Sequence, residues 1–310
     1  MNSPGYFTEL TDSFGRGWNR FWFAPSDPLP CSVLRIAVGL LVIAHLLTLT
    51  AGLDRWYSRD GVLPPASVRT LVVAETDARF LHPTWFNRLG STETRIVHGL
   101  SIAVAVAFTA GLFARFTGVL TMVALLGYFH RLPLLAAHVE PVLIFLLAYL
   151  SIGPADAYFS IGRWLRSRTA STPPSQPPRP SFWATLSLRL IQVHLAMFIA
   201  MMGLAKLNGD AWWVGEAVWN LLAQTHSRPL DLTSVRNYPL LVNFWTHTIV
   251  YYELAFPVLI WNRFARPILL VVGAALWLSV ILATGLLLFG LTMIVATLAF
   301  VPAESYRRGR

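Results

Sequence analysis

Among the 24 basic side chains of this 310-residue chain, Lys206 is the only lysine. It stands in Gly203-Leu204-Ala205-Lys206-Leu207-Asn208-Gly209-Asp210-Ala211-Trp212-Trp213, at the end of an apolar run. An apolar site pulls a lysine pKa down, so a lysine can shed its proton and act as a base, which arginine cannot do. Carboxylates at Asp210 and Glu216 oppose this, because they favour the charged form. The other reading is an interfacial anchor: a lysine that snorkels from a helix end, a plain turn at Asn208-Gly209-Asp210, and tryptophans at the membrane surface. Other ionisable residues inside apolar runs are His45, His98, His194, His247, Glu253, Arg35 and Arg189, with His138 opening one run as His138-Val139-Glu140-Pro141. Such groups are expensive in hydrocarbon and are functional candidates by default. Glu253 needs a partner or a proton. His247 and Glu253, six residues apart, fall on different faces of one helix, whereas Tyr251 shares the face of His247. Arg35 and Arg189, near helix ends, are expected to snorkel to headgroups.

The elements that would position these residues are apolar helices. Hydrophobic residues make up 55% of the chain and charged ones 13%, half the load of a typical soluble domain. The expected fold is an all-α, polytopic transmembrane bundle of about eight spans, forming one domain over 1–310. The spans are placed near 31–52, 96–113, 116–134, 139–153, 183–206, 240–261, 267–283 and 286–302. The last two read as a tight hairpin broken near Thr284-Gly285, or as one long tilted helix. Residues 53–95 read as a loop with amphipathic pieces, and the proline-rich stretch 172–180 as a stiff linker. The N-terminal run Phe14-Gly15-Arg16-Gly17-Trp18-Asn19-Arg20-Phe21-Trp22 reads as a helix lying on headgroups, or as an ordinary aromatic belt.

The net charge of +9 is spread over loops and termini, with no basic run of nucleic-acid type. It reads as a topology signal and as contact with anionic lipid. With the N-terminus inside, inner segments carry 12 arginines and outer ones nine, six of these in the 53–95 loop. The expectation is a multipass cell-membrane protein with a cytoplasmic N-terminus. Lys206 and His138 then fall at the same, outer face. The single cysteine, Cys31, excludes an internal disulfide and a cysteine metal cage. No metal site and no cleavable signal peptide are expected.

These residues resemble a known family. The run from Gln192 to Trp219, with Gly203-Leu204-Ala205-Lys206-Leu207 followed by Asp210 and Trp212, is similar to the signature of the horizontally transferred transmembrane (HTTM) domain, the membrane part of vitamin K-dependent gamma-carboxylase. Leu34-Arg35-Ile36-Ala37-Val38-Gly39, Gly111-Leu112-Phe113-Ala114-Arg115, Ala157-Tyr158-Phe159-Ser160-Ile161 and Tyr252-Glu253 resemble further stretches of that family. The resemblance implies a reduced, menaquinol-like quinone as cofactor, Lys206 as the base that deprotonates it, and His138 in support. Asp210, Trp212, His247 and Glu253 are the candidate substrate- or lipid-binding residues. Two departures follow: no counterpart of the carboxylase's large lumenal domain, and Trp277 where the family often shows a histidine. The reading that remains is a membrane enzyme acting on a quinol or isoprenoid lipid, with a non-catalytic component binding lipid or a protein partner as the alternative. Lack of paired half-helices and of repeat symmetry argues against a transporter.

Overall fold

The computed structural model describes residues 6–68, 70, 85–132, 138–169, 178–224 and 230–308. Among these residues the regular secondary structure is helical, joined by turns and loops, apart from one isolated antiparallel bridge between Ser26 and Ser181. The helices that matter below are α1 (Tyr6–Phe23), α2 (Leu29–Thr50), α3 (Ser91–Ala110), α4 (Ala114–Arg131), α5 (Val139–Ile152), α6 (Phe182–Lys206), α7 (Asp210–Val214), α8 (Ala217–Leu222), α9 (Pro239–Leu259), α10 (Ala265–Thr284) and α11 (Leu287–Thr297).

Local chemistry explains several ends. The Ser181 hydroxyl accepts a hydrogen bond from Trp183 N at 3.2 Å and caps α6. Prolines sit in the first turns of α2 and α9, where a missing N–H costs nothing. Gly285 closes α10 at φ +73°, a left-handed conformation that favours glycine. The chain therefore turns back at Gly285, and Trp277 of α10 meets Phe289 of α11 edge-on with centroids 5.6 Å apart. Residues 267–302 thus form two helices in a hairpin, and the single long helix is ruled out.

Helices α2, α3, α6 and α10 are each long and apolar enough to cross a membrane. Helix α5 and the segment Leu287–Phe300 are apolar but shorter. At 14 residues α5 extends about 21 Å, less than a hydrocarbon core of roughly 30 Å. Helices α4 and α9 are long enough, but Arg115, His130 and Arg131 in the first and Asn243, His247 and Glu253 in the second dilute their apolarity. Helix α3 begins five residues before the expected span, so Glu93 and Arg95 join its first turns. Of the expected linker at 172–180, residues 172–177 lie outside the described residues, as does 71–84 of the 53–95 loop.

The helices alternate in direction. Phe145 of α5 meets Phe198 of α6, and Tyr149 meets His194, which fixes these two as antiparallel. Continuing that register brings His138 level with Ala205. The starts of α2 and α6, the α9–α10 connection and residues 299–303 gather at one end. The α10–α11 turn lies at the other end with His138, whose ring is 5.8 Å from Phe289. Leu34, Val38, Val42, Leu143, Leu146, Ile191 and Leu195 are fully buried in the common core. Large apolar side chains also cover the outside, including Leu240, Val258, Ile268, Val271 and Met201. That surface suits hydrocarbon and would drive association in water.

One of the two arginines departs from expectation. Arg35 does not snorkel. It is fully buried, and its Nη2 donates to the Phe159 carbonyl at 2.6 Å. The chain after α5 folds back over the start of α2, so a carbonyl is nearer than any headgroup. Arg189 donates to Phe21 O at 3.1 Å and Gln192 Oε1 at 2.8 Å, so it ties α1 to the bundle.

Candidate functional site

Lys206 ends α6 and points at α9. Its Nζ lies 2.8 Å from both Oε1 and Oε2 of Glu253. The Glu253 side chain is 4% exposed and that of Lys206 16%, so the pair is almost fully withdrawn from solvent. In low dielectric this attraction is strong, and it offsets the large cost of removing two charges from water. The carboxylate facing the lysine is therefore Glu253, not the sequence neighbours Asp210 and Glu216.

Gly203 makes the contact possible. A Cβ there would sit 3.0 Å from Glu253 Cβ and 3.1 Å from Leu254 Cδ2. With only hydrogen at this position, α6 and α9 approach closely enough for a bidentate pair. Pro257, four residues after Glu253, has no N–H to offer the Glu253 carbonyl, so the helical ladder is interrupted beside the carboxylate.

Trp212 completes the surroundings. The Lys206 Nζ lies 5.1 Å from the centre of its ring, within cation–π range. Helix α7 places that ring, and Trp213 Nε1 donates back to the Leu207 carbonyl at 2.7 Å, which ties α7 to the end of α6. Two of the three ammonium hydrogens face Glu253, so one remains for another acceptor.

The other expected site residues separate from this centre. Asp210 is exposed at the start of α7. The side chains of His247 and Tyr251 stand together on α9, with ring centres 6.0 Å apart, and His247 Nδ1 lies 2.9 Å from Asn243 O. His247 rests against the α7–α8 turn, because a Cβ on Gly215 would come 2.9 Å from its Cε1. His138 is exposed at the start of α5, level with the end of α6, with its ring against Phe289. Among the described residues no hydrogen bond or ion pair joins Asp210, His138 or His247 to Lys206. The structure thus unites Lys206, Glu253 and Trp212 and leaves the other three at the rim.

Sequence reasoning missed a second buried polar group at the same end. His45 Nε2 of α2 lies 3.4 Å from Glu140 Oε1 of α5, with both side chains almost fully buried. Arg131 is buried nearby and donates to the carbonyls of Tyr57, Ser58 and Leu63 at 2.9–3.1 Å. The signal was the His138-Val139-Glu140 run, in which the buried partner is the glutamate. His194 is structural: it stacks on Phe145 at 4.2 Å, with Nδ1 2.9 Å from the Tyr149 hydroxyl. Gln192 bridges to the Ala299 carbonyl at 2.7 Å. No group of three or more His, Cys, Asp or Glu among the described residues is placed to hold a metal ion.

Fold and site define an all-helical protein with several helices fit to cross a membrane and a buried lysine–glutamate pair between two of them. Compared with known families and proteins, the chain matches no family model, no curated protein and no solved structure.

Proposed function

We propose that the chain is a multipass cell-membrane protein of about eight spans, similar to the HTTM domain, with its N-terminus in the cytoplasm. In this reading the Lys206–Glu253 pair is the polar centre of a site at the outer face for a quinol-like or isoprenoid lipid. The supporting observation is the pair itself, with both Glu253 oxygens 2.8 Å from Nζ under the Trp212 ring. The residues suit such a ligand: one ammonium hydrogen is left for a hydroxyl or carbonyl oxygen, and the indole offers a plane for a ring.

The chain's own part in the chemistry follows. Glu253 is placed to take a proton from Lys206, which turns the ammonium into a neutral amine. Rotation about the Cε–Nζ bond then turns the vacated lone pair of the amine from Glu253 to the ligand hydroxyl, whose proton it takes as a base. Trp212 and the apolar walls keep water out, which strengthens each interaction. A reduced quinone, when bound, would supply an acidic hydroxyl and reducing electrons.

A second reading is favoured by the completeness of the pair. Both carboxylate oxygens are engaged, and Gly203 locks the helices around them, so the pair also suits a clamp in a non-catalytic component that binds lipid or a protein partner.

Mass spectrometry of small molecules co-purifying with the wild type, Lys206→Arg and Lys206→Met separates the two. The site reading expects a quinone or isoprenoid enriched in the wild type and depleted in Lys206→Met. The base reading further expects Lys206→Arg to lose turnover of that ligand, since arginine keeps its proton. Identical lipids in all three would remove the ligand site and leave the clamp.

A further inference from the structure

At the bundle end opposite Lys206 lies a cavity of about 200 Å³ lined by Asp27, Arg189, Gln192, Trp261 and Arg266, among others. Two cations face it, and among the described residues neither forms an ion pair. Arg189 uses Nε on Phe21 O (3.1 Å) and Nη1 on Gln192 Oε1 (2.8 Å). Arg266 uses Nε on Ile260 O (3.1 Å) and Nη2 on Trp261 O (3.4 Å). That leaves Nη2 of Arg189 and Nη1 of Arg266 without an acceptor among the described residues. The lining carboxylate, Asp27, is already engaged by Arg307, and it also accepts from Leu29 N at 2.9 Å. The cavity wall is therefore net positive. Backbone carbonyls and the Phe21 ring, 4.2 Å from the Arg189 guanidinium, hold it in place.

The depth of the cavity follows from α1. This helix carries exposed Phe14 and Trp18 beside exposed Arg16 and Arg20, the composition of a helix lying among headgroups. Its last turn touches the cavity residues directly, through Phe21 on Arg189 and Phe21 on Trp261, with ring centres 5.6 Å apart. The cavity thus sits at headgroup level. A phosphate there would meet two guanidinium forks, the donor geometry that best matches its oxygens. Basic pockets between membrane helices take anionic headgroups in this way.

We infer that this cavity binds the phosphate of an anionic phospholipid on the membrane side that carries the N-terminus. The site is independent of the Lys206 reading.

The test uses the full chain in detergent, titrated with phosphatidylglycerol or phosphatidylcholine and followed by native mass spectrometry. Wild type is compared with Arg189→Gln, Arg266→Gln and Arg263→Gln, an exposed arginine on the same connection. Expected is preference for phosphatidylglycerol, an affinity loss of about tenfold or more in each cavity variant, and none in Arg263→Gln. Arg189 also anchors α1. If Arg189→Gln does not fold, Arg266→Gln, which gives up only two loop carbonyls, decides the matter. Equal binding of both lipids, or equal weakening in Arg263→Gln, would overturn the site. Displacement of the lipid by excess inorganic phosphate would overturn the lipid as ligand in favour of a soluble phosphate.

Discussion

Lys206 and Glu253 lie 47 residues apart and join α6 to α9 through two 2.8 Å contacts. Glu253 sits 14 residues into α9, about 21 Å along that helix. The end of one helix therefore meets the interior of the other, and the first half of α9 is left to hold α7 and α8. Asn243 Nδ2 donates to the Val214 carbonyl at 3.1 Å, and the Thr246 hydroxyl accepts from Val218 N at 3.2 Å. These two bonds pin the short α7–α8 cap to the first half of α9, about two turns or more before the pair.

Removing either charge should leave the other buried and uncompensated, at a cost of about 3–5 kcal/mol. Lys206→Met and Glu253→Gln are expected to lower the melting temperature in detergent clearly, with Lys206→Met the worse because it strands a carboxylate. The double variant Lys206→Met/Glu253→Leu should recover most of the loss. Additive losses in the double variant would show that the two side chains do not depend on each other.

Gly203→Val tests the close approach. Its side chain would enter the space of Glu253 Cβ and Leu254 Cδ2, forcing the helices apart at about 1–3 kcal/mol. Ligand depletion should then follow as in Lys206→Met, although no charge has been touched. Wild-type stability in Gly203→Val would mean that α6 and α9 do not touch here.

The proposed eight-span topology with a cytoplasmic N-terminus is open to cysteine labelling in a Cys31→Ser background. Ser167→Cys and Ser305→Cys should react from the cytoplasmic side, Asp60→Cys and Ser234→Cys only from the opposite side. Labelling of Ser167→Cys and Ser234→Cys from one side would break the alternation on which the topology rests.

Burial pushes the Tyr57 phenol up to about 12; the Glu140 carboxylate adds to this, and the Arg131 guanidinium opposes it. The unfolded chain ionises this tyrosine near 10, so its contribution is fully present below pH 10 and is lost as pH climbs towards 12. Tyr57→Phe should show a flatter fall in melting temperature between those limits. Parallel curves for the two proteins would place Tyr57 in water.

Much of the fold was legible because apolar runs long enough to cross hydrocarbon can satisfy their backbone only as helices. The runs at 31–52, 139–153 and 183–206 match α2, α5 and α6 within two or three residues. Gly285 marked its turn, since a glycine breaking an apolar stretch permits the left-handed conformation found there. That Lys206 and Glu253 carry costly charges in apolar runs was also legible.

What the sequence left open was partnership. Asp210 and Glu216 are near Lys206 in the chain, yet Glu253, on another helix, is its partner, because packing at Gly203 sets which faces meet. Arg35 looked free to snorkel, but the tertiary fold brought the Phe159 carbonyl to it. Period and composition determine that a segment is a helix and which residues are costly to bury. Only the approach of helices far apart in sequence decides how each buried charge is matched, since charge pairing is a short-range property of three-dimensional distance.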